Sequence, residues 1–140
     1  MTSKYRYDVG ISYASEQRDY VKQLTKSLDK VGLKYFVDYN EPERLWGEFI
    51  PEALRKIYVE ESRIILVILS SAYTEKAYTK FESRIACERE LSGDSFLIIK
   101  TEDVTLPWLH DTYGFLNSFS YSTDEIAKLL KKKYRVLSSQ

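Results

Sequence analysis

The residues of this chain that are best suited to chemistry lie in one stretch, residues 62–91. An apolar run at 64–69 is followed by a polar segment with Tyr73 and Tyr78, and helical spacing begins at about Thr79. Glu82 shares a row with Ala86, next to an apolar stripe, so its carboxylate is expected at the margin of that stripe, about one turn into the helix. The sequence thus predicts an acid beside the mouth of a buried strand.

Glu82 has two interpretations on spacing alone. An acid in the first turn of a helix interacts favourably with the helix macrodipole. Alternatively, a partly desolvated carboxylate with tyrosines beside it holds a ligand or takes part in catalysis. First-turn acids are common, so spacing by itself favours the first interpretation.

The elements that position this acid begin with strands and helices in alternation. The six consecutive apolar residues at 64–69 predict a central strand buried on both faces of a parallel sheet. Ahead of it the pattern predicts strands at 7–13 and 33–37, which enclose a helix over 16–31. Three further features are expected, namely Ser15 as the N-cap of that helix, Gly32 at its end, and Pro51 in the first turn of the next helix after a polar loop at 38–50.

The second half of the chain continues the same alternation. A fourth strand is predicted at 96–99, a loop with at most one helical turn at 101–115, and a short fifth strand at 119–121. Thr123 is expected to cap a last helix that buries Ile126, Leu129 and Leu130. The order predicts one α/β domain over 1–140, with a flavodoxin-like five-stranded parallel sheet in the order 2-1-3-4-5 and helices on both faces.

In such a sheet ligands bind at the carboxyl ends of the strands, where strands 1 and 3 are neighbours. Tyr13 and Ser15 follow strand 1, and the segment 73–82 follows strand 3. The 38–50 loop leaves strand 2 at the same edge and is predicted to cover the crevice as a lid, with Trp46 as an aromatic surface and Gly47 as a flexible point.

Composition argues against several function classes. The 140 residues carry 21 Lys and Arg against 21 Asp and Glu, so no net field favours nucleic acid or an anionic membrane. With one cysteine, Cys87, no internal disulfide forms. No stretch approaches the length of a membrane span, and the polar start MTSKYRYD lacks the apolar core of a signal peptide, so a cytoplasmic location is expected. One histidine, His110, and no glycine-rich phosphate loop leave little material for a metal site or a nucleotide P-loop.

Four segments together resemble the bacterial form of the TIR (Toll/interleukin-1 receptor) domain family in order and spacing: YDVGISYASEQRDYV, GLKYFVDYNE, LWGEFIPEAL and SRIILVILSSAYTEKAYTKFE. The resemblance implies a flavodoxin-like fold whose BB loop is the 38–50 stretch. It also implies cleavage of NAD to nicotinamide and ADP-ribose, a cyclic ADP-ribose isomer or a related signal, with NAD as substrate and no separate cofactor. Glu82 matches the catalytic glutamate of the family, and substrate contacts are implied for Tyr13, Ser15, Asp38, Leu45, Trp46 and Tyr78.

Two departures from the family pattern stand out. Gly10 occupies a position that is usually aromatic, which is expected to alter packing under the sheet. Tyr78 stands where bacterial relatives often have tryptophan, so the choice between linear and cyclic product stays open.

Two functions remain in competition on the sequence. The first is an NAD-consuming enzyme of anti-phage defence signalling, which self-associates with other TIR domains and passes its product to a nucleotide-sensing effector. The second is a non-catalytic adaptor, or a virulence factor imitating host TIR domains, that acts through TIR–TIR contacts alone. Replacing Glu82 separates the two.

Overall fold

The computed structural model describes residues 5–80, 96–105 and 114–139, with the backbone alone for 76–80. Glu82, Cys87 and His110, together with most of the predicted loop at 101–115, lie outside the described residues. The side chain of Tyr78 does so too.

The sheet has five parallel strands in the order β2-β1-β3-β4-β5, which confirms the predicted flavodoxin-like topology. The strands are β1 (Tyr7–Ser12), β2 (Tyr35–Phe36), β3 (Ser62–Leu69), β4 (Phe96–Lys100) and β5 (Leu116–Asn117). β2 is shorter than predicted, because only Tyr35 and Phe36 pair with β1.

Helices cover both faces of this sheet. They are α1 (Arg18–Lys30), α2 (Ile50–Arg55), α3 (Ser71–Lys80) and α4 (Thr123–Ser138), and α2 continues as a π-helical segment, Lys56–Glu61. Pro51 lies in the first turn of α2 as predicted, and Gly32 follows α1 with a φ of +74°. No helix within the described ranges is both long and apolar enough to cross a membrane.

The central strand β3 connects the two halves of the core. Ile64, Leu66 and Ile68 pack in the cluster that includes the apolar faces of α1 and α4. The alternate residues, Ile65, Val67 and Leu69, pack in the cluster on the α2 and α3 side. Side chains of a strand alternate between its two faces, so an unbroken apolar run is buried by both layers, as the sequence predicted.

Two helix starts differ from the prediction. Ser15 does not cap α1. It belongs to a tight turn, Ser15–Gln17, in which the Gln17 N–H donates to Ala14 O, and the Ser15 hydroxyl donates to Glu16. The last helix is capped by Ser122 instead of Thr123. Ser122 and Glu125 bond reciprocally in a capping box, which satisfies two backbone N–H groups. Ile126 and Leu130 are buried as predicted, while Leu129 is only half-buried.

The positions predicted from the sequence for the third helix and the fifth strand were also wrong. α3 begins at Ser71, not near Thr79, because Ser70 caps it and Tyr73 is buried in its first turn. β5 ends at Asn117, whose side chain accepts the N–H groups of Phe119 and Ser120 and turns the chain away from the sheet. Phe119, predicted to lie in the strand, is exposed.

Gly10 permits a close approach on the α2 side of β1. A Cβ at this position would lie 2.5 Å from Ser62 Oγ and 3.0 Å from Tyr58 Cδ1, closer than packed atoms tolerate. Tyr58 fills the space beside Gly10, and its hydroxyl donates to Ile11 O at 3.0 Å.

We expect Gly10→Ala to lower the free energy of unfolding by about 1–3 kcal/mol, because the added methyl overpacks a buried contact. Urea denaturation measures the loss. The matched control is Gly114→Ala, since a Cβ there meets no atom of the described residues within 4 Å. Equal stability of the two variants would contradict a tight contact between β1 and Tyr58.

Candidate active site

The carboxyl ends of β1 and β2 are joined by a hydrogen bond between two residues that the sequence placed in the site. Tyr13 is buried, and its hydroxyl donates to Asp38 Oδ1 at 2.6 Å. Burial, reinforced by the Asp38 carboxylate, raises the pKa of Tyr13 well above its usual value. The phenol thus remains a neutral donor at physiological pH and keeps Asp38 in place.

A second aromatic ring extends this pair. The Tyr39 ring meets Tyr13 edge to face, with centroids 6.5 Å apart and an interplanar angle of 79°. The Tyr39 hydroxyl lies 3.4 Å from Thr25 Oγ1 of α1. The strand ends and α1 are in this way tied to one aromatic cluster.

Three hydroxyl groups are buried together just below this edge. Ser12 Oγ and Tyr73 OH are 2.9 Å apart, and the hydroxyl of the buried Tyr58 donates to Ile11 O of the same strand. Desolvation raises the pKa of both tyrosines, so all three groups are neutral. Because buried polar groups are costly when unpaired, this cluster fixes α3 and the segment after α2 on the end of β1.

The first turn of α3 is also anchored to the strands beside it. Ser70 follows β3, and its hydroxyl accepts the Tyr73 N–H at 3.1 Å. The Glu102 carboxylate, which follows β4, accepts the Ser71 N–H at 3.1 Å and the Ser71 hydroxyl. The start of the helix that leads toward residue 82 is therefore fixed by β1, β3 and β4 together.

The 38–50 loop runs from the Tyr13 edge to the other end of the strands. Arg44 makes two hydrogen bonds to Glu61, of 2.5 and 3.0 Å, and one of 2.8 Å to Tyr7 OH. Tyr7 in turn donates to Glu41 at 3.0 Å. Tyr7 begins β1 and Glu61 precedes β3, so these bonds fasten the turn Pro42–Arg44 at the amino-terminal ends of the strands.

The structure brings together only part of the predicted site. Tyr13 and Asp38 are in contact, whereas Ser15 is exposed and bonded to Glu16. Leu45, half-buried, packs against the core on the α2 side, and Trp46 is 87% exposed. Both follow the turn that Arg44 holds, so the lid over the crevice stays a prediction.

Several residues of this edge were not found from the sequence. Ser12, Tyr58 and Glu102 each act through a partner distant in the chain. The sequence offered two signals: Ser12, a small polar residue at the end of an apolar strand, and Glu102, an acid two residues after the end of β4. Among the described residues, no group of three or more His, Cys, Asp and Glu side chains is arranged to hold a metal ion.

Comparison with known proteins gives concordant matches. The family model described as TIR domain matches residues 9–133. The chain is 33% identical over 133 residues to the 3′ cyclic ADP-D-ribose synthase AaTIR of Aquimarina amphilecti, covering 94% of this chain and 41% of that protein. It is 30% identical over 140 residues to the NAD(+) hydrolase TirS of Staphylococcus aureus strain MSSA476, covering 94% and 48%. The chain thus spans less than half the length of either relative.

A solved structure supports the fold. A metazoan TIR-STING receptor from C. gigas, in complex with 2′,3′-cGAMP, superposes with a TM-score of 0.64 at 18% identity, over 93% of this chain and 41% of that one.

We expect Tyr73→Phe to lower the free energy of unfolding by about 1–2 kcal/mol, because it leaves the buried Ser12 hydroxyl short of a partner. Tyr20→Phe is the matched control. Its hydroxyl is buried with no hydrogen-bond partner in the described part of the chain, so its removal is expected to leave stability unchanged or raise it. Urea denaturation compares the two, and a Tyr73 variant as stable as wild type would contradict a structural role for the hydroxyl cluster.

The Arg44 guanidinium holds the pKa of Glu61 below its usual value. A lowered folded-state pKa contributes stability that is present above the unfolded pKa and is lost as pH falls through the folded pKa. We expect Glu61→Gln to be less stable than wild type at pH 7 by about 1–3 kcal/mol, with the difference shrinking below about pH 4.5.

Glu60→Gln is the control for this pH series, since Glu60 is 58% exposed and its ion pair with Arg55 spans 3.3 Å. Chemical denaturation between pH 3 and pH 7 provides the comparison. Parallel pH profiles for wild type and Glu61→Gln would exclude the ion pair as a source of stability.

Proposed function

Because the chain belongs to the TIR domain family, we propose that it cleaves the N-glycosidic bond of NAD. The products are nicotinamide and either ADP-ribose or a cyclic ADP-ribose isomer. One observation carries the proposal: 94% of the chain aligns with each of two relatives, one named as a cyclic ADP-ribose synthase and the other as an NAD(+) hydrolase. The enzyme is thereby an NAD nucleosidase or cyclase, and NAD is its substrate.

The reaction breaks the bond between the ribose anomeric carbon and the pyridinium nitrogen. The electron pair leaves with the nitrogen, which gives neutral nicotinamide and an oxocarbenium-like ribosyl centre. Glu82 is proposed to hold the ribose hydroxyls and to stabilise the developing positive charge. Attack by water then gives ADP-ribose and a proton, whereas attack by a group of the same molecule gives a cyclic product.

The geometry supports this assignment through the start of α3. Ser12, Ser70 and Glu102 fix its first turn at the ends of β1, β3 and β4, which is the edge where sheets of this order bind ligands. Tyr78 belongs to the described helix, and Glu82 follows its last described residue, Lys80, by two positions. The first turn of α3, 11 residues before Glu82 in the chain, is therefore held at this edge.

We also propose that the active form is assembled from several copies in the cytoplasm. Three large apolar side chains close together in sequence, Trp46, Phe49 and Ile50, are 87%, 72% and 41% exposed, and they suit a protein contact. We further propose that the enzyme acts in anti-phage defence signalling and that an effector senses its nucleotide product.

The same exposed side chains favour a second candidate function. An adaptor domain without catalysis would use them to bind other TIR domains and would need no NAD chemistry. The two candidates differ in what Glu82 does, since an adaptor keeps its assembly when this carboxylate is neutralised.

We expect Glu82→Gln to reduce nicotinamide release at least 100-fold, because the substitution keeps the size of the side chain and removes the charge that stabilises the transition state. The purified domain is incubated with NAD at high protein concentration, and nicotinamide and the adenine-containing products are separated by chromatography. Glu75→Gln, an exposed acid of α3, is the matched control and should retain wild-type activity.

Circular dichroism verifies the fold of each variant. A folded, self-associated wild-type protein that leaves NAD intact would contradict the proposed enzymatic activity and favour the adaptor function. Full activity of Glu82→Gln would remove Glu82 from the mechanism while leaving the reaction itself established.

A further inference from the structure

We propose that Arg18 and Lys22 of α1 bind the diphosphate of the dinucleotide, beside the carboxyl ends of β1 and β2. This inference rests on the proposed function, because it names how the same substrate is held. It assigns a binding role to two residues that the motif of the family does not include.

The two cations are placed by one aromatic ring. The Arg18 guanidinium carbon lies 5.8 Å and the Lys22 ammonium 5.9 Å from the centre of the Tyr39 ring. Thr25, from the same helix, approaches the Tyr39 hydroxyl. Residues 18, 22 and 25 recur at the spacing of one helix face, so α1 presents both charges along Tyr39 and beside Tyr13.

Both charges remain available to a ligand. Arg18 and Lys22 are exposed, and among the described residues neither forms an ion pair with a carboxylate. Two acids of the described residues at this edge have other partners, since Asp38 accepts from Tyr13 and Glu16 accepts from Ser15. Asp19 follows Arg18 directly, so its side chain projects from the helix about 100° away from that of Arg18 and lies on a different face.

The position of Arg18 is unfavourable for the helix itself. It is the first residue of α1, where the macrodipole disfavours a positive charge. Its guanidinium nevertheless lies over the ring of Tyr39, which packs against Tyr13 at the strand end. A charged residue in a position that is unfavourable for its own helix is expected where function requires it.

A diphosphate fits this pair better than a neutral group. Arginine offers a planar fork for two phosphate oxygens, and lysine adds a compact point charge. Placing the diphosphate beside β2 directs one ribose of the dinucleotide back across β1 toward β3 and α3, where the scissile bond is proposed to lie. The adenosine half then extends on the outer side of Tyr39.

The test first measures binding without turnover. ADP-ribose and adenosine are titrated by isothermal calorimetry into the whole chain, as wild type, as Arg18→Gln/Lys22→Gln and as Lys26→Gln. Lys26 is an exposed cation of the same helix, one turn beyond Lys22. We expect the double variant to bind ADP-ribose about 10- to 100-fold more weakly, with adenosine binding unchanged and Lys26→Gln like wild type.

Kinetics with NAD provide an independent measurement. The double variant is expected to raise KM with little change in kcat, and Arg18→Lys, which keeps the charge, is expected to recover part of the loss. Added salt should weaken ADP-ribose binding to wild type more steeply than binding to the double variant.

The outcomes separate this inference from the proposed function. If wild type cleaves NAD and the double variant keeps the wild-type KM and ADP-ribose affinity, the proposed diphosphate site is wrong and the proposed enzymatic activity is confirmed. If wild type binds ADP-ribose through Arg18 and Lys22 without cleaving NAD, the site stands and the enzyme does not. Equal losses of ADP-ribose and adenosine affinity, or no binding of ADP-ribose to wild type, would overturn the site.

Discussion

The burial of β3 on both faces is the constraint on which the rest of the structure depends. Ile64, Leu66 and Ile68 require one helical layer, and Ile65, Val67 and Leu69 require the other. A strand with no polar face can lie only inside a sheet covered on both sides, so β1 and β4 must flank it. The carboxyl ends of three neighbouring strands then meet at one edge, and the polar residues that follow them are brought together there.

Buried hydroxyl groups fix the positions of the elements that meet at this edge. Ser12, Tyr58 and Tyr73 come from β1, from the segment after α2 and from α3, and each satisfies a group that burial would otherwise leave unpaired. Apolar packing tolerates small shifts, whereas a buried hydrogen bond is lost when its partners move apart. The start of α3 is held accordingly, which matters for the Glu82 carboxylate, proposed to act 11 residues further along the chain.

The segment between β2 and α2 connects two regions with different roles. At one end Asp38 and Tyr39 join the polar cluster with Tyr13, beside the cations of α1. At the other end Arg44 is bound to Tyr7 and Glu61, and the exposed Trp46 follows. The segment is thus fixed at both ends, by Asp38 and by Arg44, and between α2 and the second anchor it exposes Trp46.

The sequence by itself determined the class of fold, the strand order, the two-faced burial of β3 and the roles of Gly32 and Pro51. Each of these follows from local periodicity or from the backbone of one residue, which a single chain displays directly. The family resemblance likewise indicated the chemistry, through motifs that lie within short segments. Tertiary structure alone decided which serine caps a helix and where α3 begins. It also decided two contacts between residues distant in the chain: Ser12 with Tyr73, 61 positions apart, and Tyr13 with Asp38, 25 positions apart. Those features depend on partners brought together by the sheet, and no spacing along the chain encodes the distance between them.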